Sequence, residues 1–379
     1  MAKVKVMLAG IGGYGTGYLA RMIEKYDAGE IEVAGLVDPY PQSCRHLAAV
    51  EARGFKIYAS IDEFYAENTC DLAVISTPIQ FHTTQILTAL GKGSHVLCEK
   101  PMTGDPADVE KLIKAREESG KFIMIGYQWS HAKAILAMKA DVIAGVYGKP
   151  TFFKTLILWP RNKAYFNRGI GWAGKIKAAD GTLIYDSVAN NAAAHYLHNI
   201  FFTMGTSYDE AVEPIETKAQ LYRTNAIENF DTAVIANKFA NGAESLYIAS
   251  HSTDRTLDPI FEYRFEKGVI AFNEGAVGED GKKHIIGKLA DGTVRDYGDP
   301  FCDQMNKLDL AIENVTAAKW NIPCGVETAT AQVHCIAECA KQPIVNFDED
   351  KKRLGDGGLV YIDGLYEALV DCYEKEHLL

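Results

Sequence analysis

VKVMLAGIGGYGTGYLARMIEKY, residues 4–26, decides how the rest of the chain is read. Residues 4–9 form a short apolar run of the kind buried on both faces of a parallel sheet. From residue 15 onward, apolar side chains recur at helical spacing. Between them stands Gly10-Ile11-Gly12-Gly13-Tyr14-Gly15, a G-x-G-x-x-G turn directly after a strand and at the start of a helix. In that context the first glycine permits a tight turn, and the second lets backbone approach a pyrophosphate. The third allows helix and strand to pack closely. The exposed N–H groups and the helix dipole then favour a phosphate. Asp38, 23 residues after Gly15, closes the next apolar run, IEVAGLVD. A carboxylate there hydrogen-bonds ribose hydroxyls and repels a 2′-phosphate, so the pattern points to NAD rather than NADP.

Working outward, the first third alternates strand and helix. FKIYAS, DLAVIST, SHVLCEK and FIMIGYQ add four short apolar runs, giving six strands with crossover helices and a doubly wound sheet ending near Gln128. The beat then changes. A helix through AKAILAMKADVIAG precedes a break at Gly148-Lys149-Pro150, and PTFFKTLILW alternates as a strand. Glycine turns at Asn241-Gly242, Lys267-Gly268 and Asp291-Gly292 mark hairpins. A long helix is expected from about Asp186 to Met204, and three more through MNKLDLAIENVTAA, TATAQVHCIAECA and YIDGLYEALVDCYEKE. The expected architecture is α/β: a Rossmann domain over residues 1–128, then an α+β domain over 129–379 built on a large, mainly antiparallel open sheet. One late helix, TATAQVHCIAECA, is expected to pack back on the first domain.

Composition bounds the partners. A chain of 379 residues with 47% hydrophobic residues can bury a large core in two domains. A net charge of −11, without a basic block, argues against a nucleic-acid partner. No stretch reaches the roughly 20 apolar residues of a membrane span, and no export signal is evident. Eight scattered cysteines do not form a disulfide framework, and a reducing cytoplasm suits them. His334, Cys335 and Cys339 share one helical segment but read as core rather than metal ligands, so no metal is expected.

Glu99-Lys100-Pro101 ends the fifth strand, where an open α/β sheet holds its ligand. With GIGGYG, LVDP at Asp38, ISTPIQFH from Ser76 to His82, CEKPM, GYQW and YGKP in this order, the chain resembles the glucose–fructose oxidoreductase/inositol dehydrogenase (Gfo/Idh/MocA) family along nearly its whole length. The resemblance implies cofactor contacts from Ser76, Thr77, Pro78, His82, Glu99 and Gln128 besides the glycine turn. It also implies that Lys100 reaches both the nicotinamide ribose and the reacting hydroxyl. A cation beside that oxygen stabilises alkoxide character. The family implies a D-x-x-x-H pair on the helix of the second domain, and here two alignments compete. Asp186 on the family aspartate leaves Asn190 where the histidine belongs. His195 on the family histidine puts Asn191 at i−4 in place of the aspartate and His198 at i+3, on one face of a continuous helix. We take the second: His195 as acid/base, Asn191 as its partner, His198 in the substrate site.

The segment LILWPRNKAYFNRGIGWAGKIKAADG offers Trp159, Tyr165 and Trp172 as stacking faces and Arg161, Asn167, Arg168 and Lys175 as donors, a mixture that suits sugars and cyclitols. His251 is a further candidate. The WP-R…GWAGKIK…DS…NNA pattern is similar to the family branch that oxidises a ring hydroxyl of glycosides to a ketone. The reading that follows is an NAD-dependent dehydrogenase of a sugar, cyclitol or glycoside, working as a homodimer or homotetramer. An NAD-dependent redox glycosidase and a non-catalytic dinucleotide-binding regulator are the alternatives.

Overall fold

The computed structural model describes residues 3–168, 171–272 and 277–379. Contacts divide the chain into two units. Met1–Thr103, Ala107–His131 and Asp303–Ala329 form the first; Gly104–Pro106, Ala132–Cys302 and Thr330–Leu379 form the second.

In the first unit the apolar runs become β1 (Val4–Ala9), β2 (Ile31–Val37), β3 (Ile57–Tyr58), β4 (Leu72–Ile75), β5 (His95–Cys98) and β6 (Ile123–Ile125). The intervening helices are α1 (Gly15–Asp27), α2 (Leu47–Ala52), α3 (Ile61–Glu67), α4 (His82–Gly91) and α5 (Asp108–Ser119). The strands lie in the order β3-β2-β1-β4-β5-β6, every neighbouring pair parallel. The order reverses between β1 and β4, the switch point at whose carboxyl ends open α/β sheets bind ligands.

The second unit contains α6 (Lys133–Ile143), β7 (Pro150–Leu158), a short helix α7 (Lys163–Phe166) and α8 (Ala194–Met204). Then come β8 (Pro214–Arg223), β9 (Thr232–Phe239), β10 (Glu244–Ser250), β11 (Leu257–Phe265), β12 (Gly268–Phe272), β13 (Ile285–Leu289) and β14 (Val294–Gly298). After them the chain returns to the first unit with α9 (Asn306–Thr316). It ends with α10 (Val326–Cys339), β15 (Ile344–Asn346), a small hairpin of β16 (Lys352–Leu354) and β17 (Val360–Ile362), and α11 (Leu365–Lys375). Nine strands form one mixed sheet, β14-β13-β12-β11-β7-β10-β9-β8-β15, in which only β7–β10 and β8–β15 run parallel.

Residues 303–329 thus belong with the first unit: the helix that returns is α9, not the expected TATAQVHCIAECA, which lies in the second unit from Thr330 onward. The reason is packing: Leu308 and Ala311 of α9 join the core of Val6, Leu8, Leu72, Val74 and Leu97. In the second unit, Leu365, Leu369 and Cys372 of α11 pack on Leu156, Leu158, Val234 and Ile248 of the sheet. Every residue of α8 is buried.

The expected helix from Asp186 to Met204 is a correction. Ser187 is extended, Val188–Ala192 form a five-residue π-helix, and Ala193 (φ −106°, ψ 13°) breaks the path before α8 begins. Local side chains compete for the backbone here. Ser187 Oγ accepts from Asn190 N–H at 3.1 Å, and the Asn190 amide donates to the carbonyls of Ile184 and Tyr185, both at 3.3 Å. A π-turn is wider than an α-turn and often marks a functional segment. The i−4 relation between Asn191 and His195 therefore does not describe a shared α-helical face.

Cys335 and Cys339 are fully buried, whereas His334 is half-exposed and pairs with Glu213 at 2.7 Å. Among the described residues, no helix is long and apolar enough to cross a membrane.

Candidate active site

The glycine turn is built as its spacing requires. Gly10 has φ +84°, and a Cβ on it would lie 2.5 Å from the Ser76 carbonyl oxygen at the end of β4. A Cβ on Gly12 would sit 2.8 Å from Ser43 Oγ, and one on Gly15 would fall 1.8 Å from the Gly10 oxygen. Gly10 and Gly15 meet backbone and are closed to any side chain, whereas at Gly12 only the Ser43 hydroxyl would have to yield. The N-terminus of α1 has no side-chain cap and no acid in its first turn, so its dipole favours an anionic ligand, although Thr16 and Gly17 N–H already bond the Gly13 and Tyr14 carbonyls. Asp38 follows β2 and accepts from Ile11 N–H (3.0 Å) and Tyr40 N–H (2.8 Å), tying its carboxylate to the glycine turn. Tyr14 reaches across to Gln128, donating to its Oε1 at 3.1 Å. This cradle fits a dinucleotide.

Ser76 and Thr77 follow β4, with Ser76 N–H bonded to the Ala9 carbonyl at 2.8 Å, so the loop containing Pro78 lies directly beside the glycine turn. His82 is buried. Its Nδ1 lies 2.8 Å from the Pro101 carbonyl and its Nε2 2.8 Å from that of Thr77. Burial lowers its pKa, and the two backbone contacts only partly offset this. The histidine expected on the cofactor therefore ties the loop after β4 to the loop after β5, with both ring nitrogens at loop carbonyls.

Glu99 differs in the same way. It was expected among the cofactor contacts, but its carboxylate is buried, accepting from Tyr18 Oη at 2.6 Å and from Lys307 Nζ of α9. The other oxygen accepts from Lys100 N–H at 3.3 Å. Lys307 is fully enclosed and also donates to Tyr14 Oη (3.1 Å) and the Gly126 carbonyl (3.2 Å). Burial pushes the Glu99 carboxyl up, but Lys307 and Tyr18 outweigh it and hold it below the usual range. Lys307 in turn stays above its ordinary value because Glu99 outweighs its own burial. One buried cation thus braces the glycine turn, the Lys100 loop and the end of β6. Sequence reasoning missed Lys307. The available signal was its place with Ala311 and Asn314, at i+4 and i+7, on the buried stripe of α9.

In the second unit, His195 and His198 lie buried on α8, His198 stacked on Phe202 with ring centres 6.0 Å apart. Asn191 donates to Asp186 Oδ1 at 2.6 Å, and the other oxygen of Asp186 accepts from Gly174 N–H at 2.5 Å. The two residues treated as alternatives at the aspartate position are therefore hydrogen-bonded to each other, and the carboxylate reaches the π-helical turn through Asn191.

The aromatic segment assembles beside that turn. Trp159 meets Tyr196 edge-on at 5.6 Å, one residue from His195. The Arg161 guanidinium lies 5.1 Å from the Tyr165 ring, and that of Arg168 lies 3.6 Å from Tyr165 and 4.8 Å from Trp172. His251 packs against Tyr165 at 5.4 Å. Lys175 does not join the cluster by charge, since it pairs with Glu228 at 3.0 Å. Asn167 is exposed.

Residues 4–127 match the GFO_IDH_MocA family, described as an oxidoreductase family with an NAD-binding Rossmann fold. Among curated proteins the chain is 28% identical to an inositol 2-dehydrogenase of Leifsonia xyli subsp. xyli over 152 residues, 40% of this chain and 44% of that one. It is 28% identical over 140 residues to a 1,5-anhydro-D-fructose reductase of Ensifer adhaerens, 36% of this chain and 40% of the relative. The chain spans less than half the length of these relatives. Among solved structures, the WlbA dehydrogenase of Bordetella pertussis in complex with NADH and UDP-GlcNAcA superposes with a TM-score of 0.69 at 20% identity. That match covers 90% of this chain and 96% of that one, and shows a shared fold.

Proposed function

We propose that the chain, whose residues 4–127 match the NAD-binding Rossmann fold of the Gfo/Idh/MocA oxidoreductases, oxidises a ring secondary alcohol of a sugar, cyclitol or glycoside to the ketone, or runs the reverse reduction. The observation that carries this is the pairing, on one parallel sheet, of a glycine turn after β1 with a braced lysine loop after β5. Bound NAD supplies a hydride acceptor. Gly10, Gly12, Gly15 and the start of α1 would hold its phosphates, and Asp38 its adenosine ribose, which excludes a 2′-phosphate. Lys100 would steady the substrate oxygen as negative charge develops on it. His195 would take the hydroxyl proton, and in reduction would return it. Asn191 is assigned a positioning role, carrying the Asp186 carboxylate to the turn that precedes His195. The proposal extends to a cytoplasmic homodimer or homotetramer; all eight cysteines are free thiols, as a reducing compartment would keep them.

The test combines NAD with a panel of sugars, inositols and glycosides, following NADH absorbance and keto-product mass together. Lys100→Ala and His195→Ala should each lower turnover at least about a hundredfold. Activity that survives His195→Ala intact removes His195 from the chemistry. Cleaved glycoside without net NADH would establish the redox glycosidase instead, and NAD binding without turnover on any polyol would favour a regulator.

A further inference from the structure

Arg161 and Arg168 sit oddly in this protein. Several other arginines meet acids, among them Arg21 with Asp309, Arg53 with Asp27, Arg255 with Glu367 and Arg295 with Asp141, while Arg223 takes the Asn346 amide oxygen and two carbonyls instead. Among the described residues, neither Arg161 nor Arg168 has a carboxylate partner, although both guanidiniums lie against one ring, that of Tyr165. Arg161 Nε is buried with no hydrogen-bond partner. Arg168 donates to the Tyr165 carbonyl at 2.6 Å, and its guanidinium lies 3.6 Å from the Tyr165 ring and 4.8 Å from that of Trp172. Two like charges gathered on one ring repel, and a half-buried cation without a partner is costly. The chain as a whole carries −11, so the grouping does not follow from an excess of cations.

Two acids of this region are bonded to other groups. Asp258 accepts from Trp159 Nε1 at 3.2 Å, and Asp186 holds Gly174 N–H and Asn191. His251 adds no charge. Burial, with Arg161 and Arg168 nearby, pushes its pKa down to about 3, and its ring lies 2.8 Å from the Trp159 carbonyl through Nδ1. The cluster is fixed at the carboxyl ends of β7 and β10, where Arg161 N–H bonds the His251 carbonyl at 3.0 Å. Through Trp159 and Tyr196 it adjoins the residue assigned as acid/base.

We propose that Arg161 and Arg168 form an anion subsite, and that the substrate is a ring alcohol bearing an oxyanion group, a carboxylate or a phosphate. This rests on the dehydrogenase reading for its substrate half only. Guanidinium groups present forked N–H donors to either oxyanion, and the Tyr165 and Trp172 faces hold them in place. A neutral glycoside would leave both charges uncompensated.

The experiment uses the NAD-loaded protein and three probes on one ring: D-glucose, D-glucuronate and D-glucose 6-phosphate. Binding is read by calorimetry and turnover by NADH formation. At least one charged probe should bind about tenfold or more tightly than glucose, since charge-assisted contacts are worth about ten- to a hundredfold. Arg161→Gln and Arg168→Gln should each reduce that ratio to below about threefold, while Arg161→Lys retains part of it. Preference for glucuronate identifies a carboxylate, and preference for the phosphate identifies a phosphoryl group. The inference is overturned if glucose binds as well as both charged probes, if neither charged probe binds, or if the glutamine variants leave the ratio unchanged. Arginine-dependent binding of a charged probe without NADH would retract the dehydrogenase reading and leave the subsite standing.

Discussion

Replacing Lys307 by methionine removes a charge while keeping most of the side chain's volume. The lysine is fully buried, and its three acceptors are Glu99, Tyr14 and the Gly126 carbonyl. Without it, the Glu99 carboxylate keeps only Tyr18 Oη at 2.6 Å and Lys100 N–H at 3.3 Å. Breaking a buried ion pair from one side costs about 3–5 kcal/mol, because the remaining charge is stranded. For a unit of this size that corresponds to a melting point lower by about 6–20 °C. The pH dependence follows from the shifts. In the native protein Glu99 is held below its ordinary value, so its contribution is present above the unfolded carboxyl pKa of about 4.3 and is lost as pH falls through the folded value. In Lys307→Met, burial, the largest influence on Glu99, is opposed only by Tyr18 and Lys100 and should raise its pKa, so the variant loses stability as pH rises. The gap between the two proteins should therefore widen from about pH 5 to about pH 8. The assay is thermal unfolding of wild type, Lys307→Met, Glu99→Gln and the double variant at both pH values. The double variant should melt well above the sum of the single effects. A Lys307→Met protein within about 2 °C of wild type, or strictly additive single effects, would refute the bracing role.

Other expectations follow from the same geometry. Gly15→Ala places a Cβ 1.8 Å from the Gly10 oxygen and should abolish NAD binding measured by calorimetry, while circular dichroism shows the remaining helices retained. Asp38→Ser removes the charge that repels a 2′-phosphate and frees Ile11 N–H; the NAD-over-NADP binding preference should fall at least about tenfold. Asp186→Asn keeps the shape of the Asn191 contact but loses its charge, so kcat should fall more than about tenfold with KM little changed, and the activity–pH profile should shift.

The first unit was legible because its signals are local. A glycine turn between a strand and a helix has one physical use, and buried parallel strands read as short apolar runs. Lys100 and the Arg161–Trp172 segment could be picked out because their residue types and positions limit what they can do. What the sequence hid is non-local or side-chain-driven. The return of residues 303–329 depends on a core that α9 completes from two to three hundred residues away, and no local pattern encodes that partner. The π-turn at Val188–Ala192 has the apolar spacing of an ordinary helix. Its departure comes from Ser187, Asn190 and Asn191 taking backbone and carboxylate partners. Glu99 and His82 are expected from the sequence to touch the cofactor, but Glu99 bonds Tyr18 and Lys307 and His82 lies between two loop carbonyls; alternation alone cannot tell a side chain facing a ligand from one bracing its loop.

The most direct measurement follows the hydride itself. Sugars, inositols and glycosides deuterated at the ring C–H positions would be incubated with the protein and NAD, and cofactor and product analysed by mass. The account predicts one deuterium in the reduced cofactor for each ketone formed, and none with Lys100→Ala. Ketone formed with an undeuterated cofactor, or label lost to water, would contradict it.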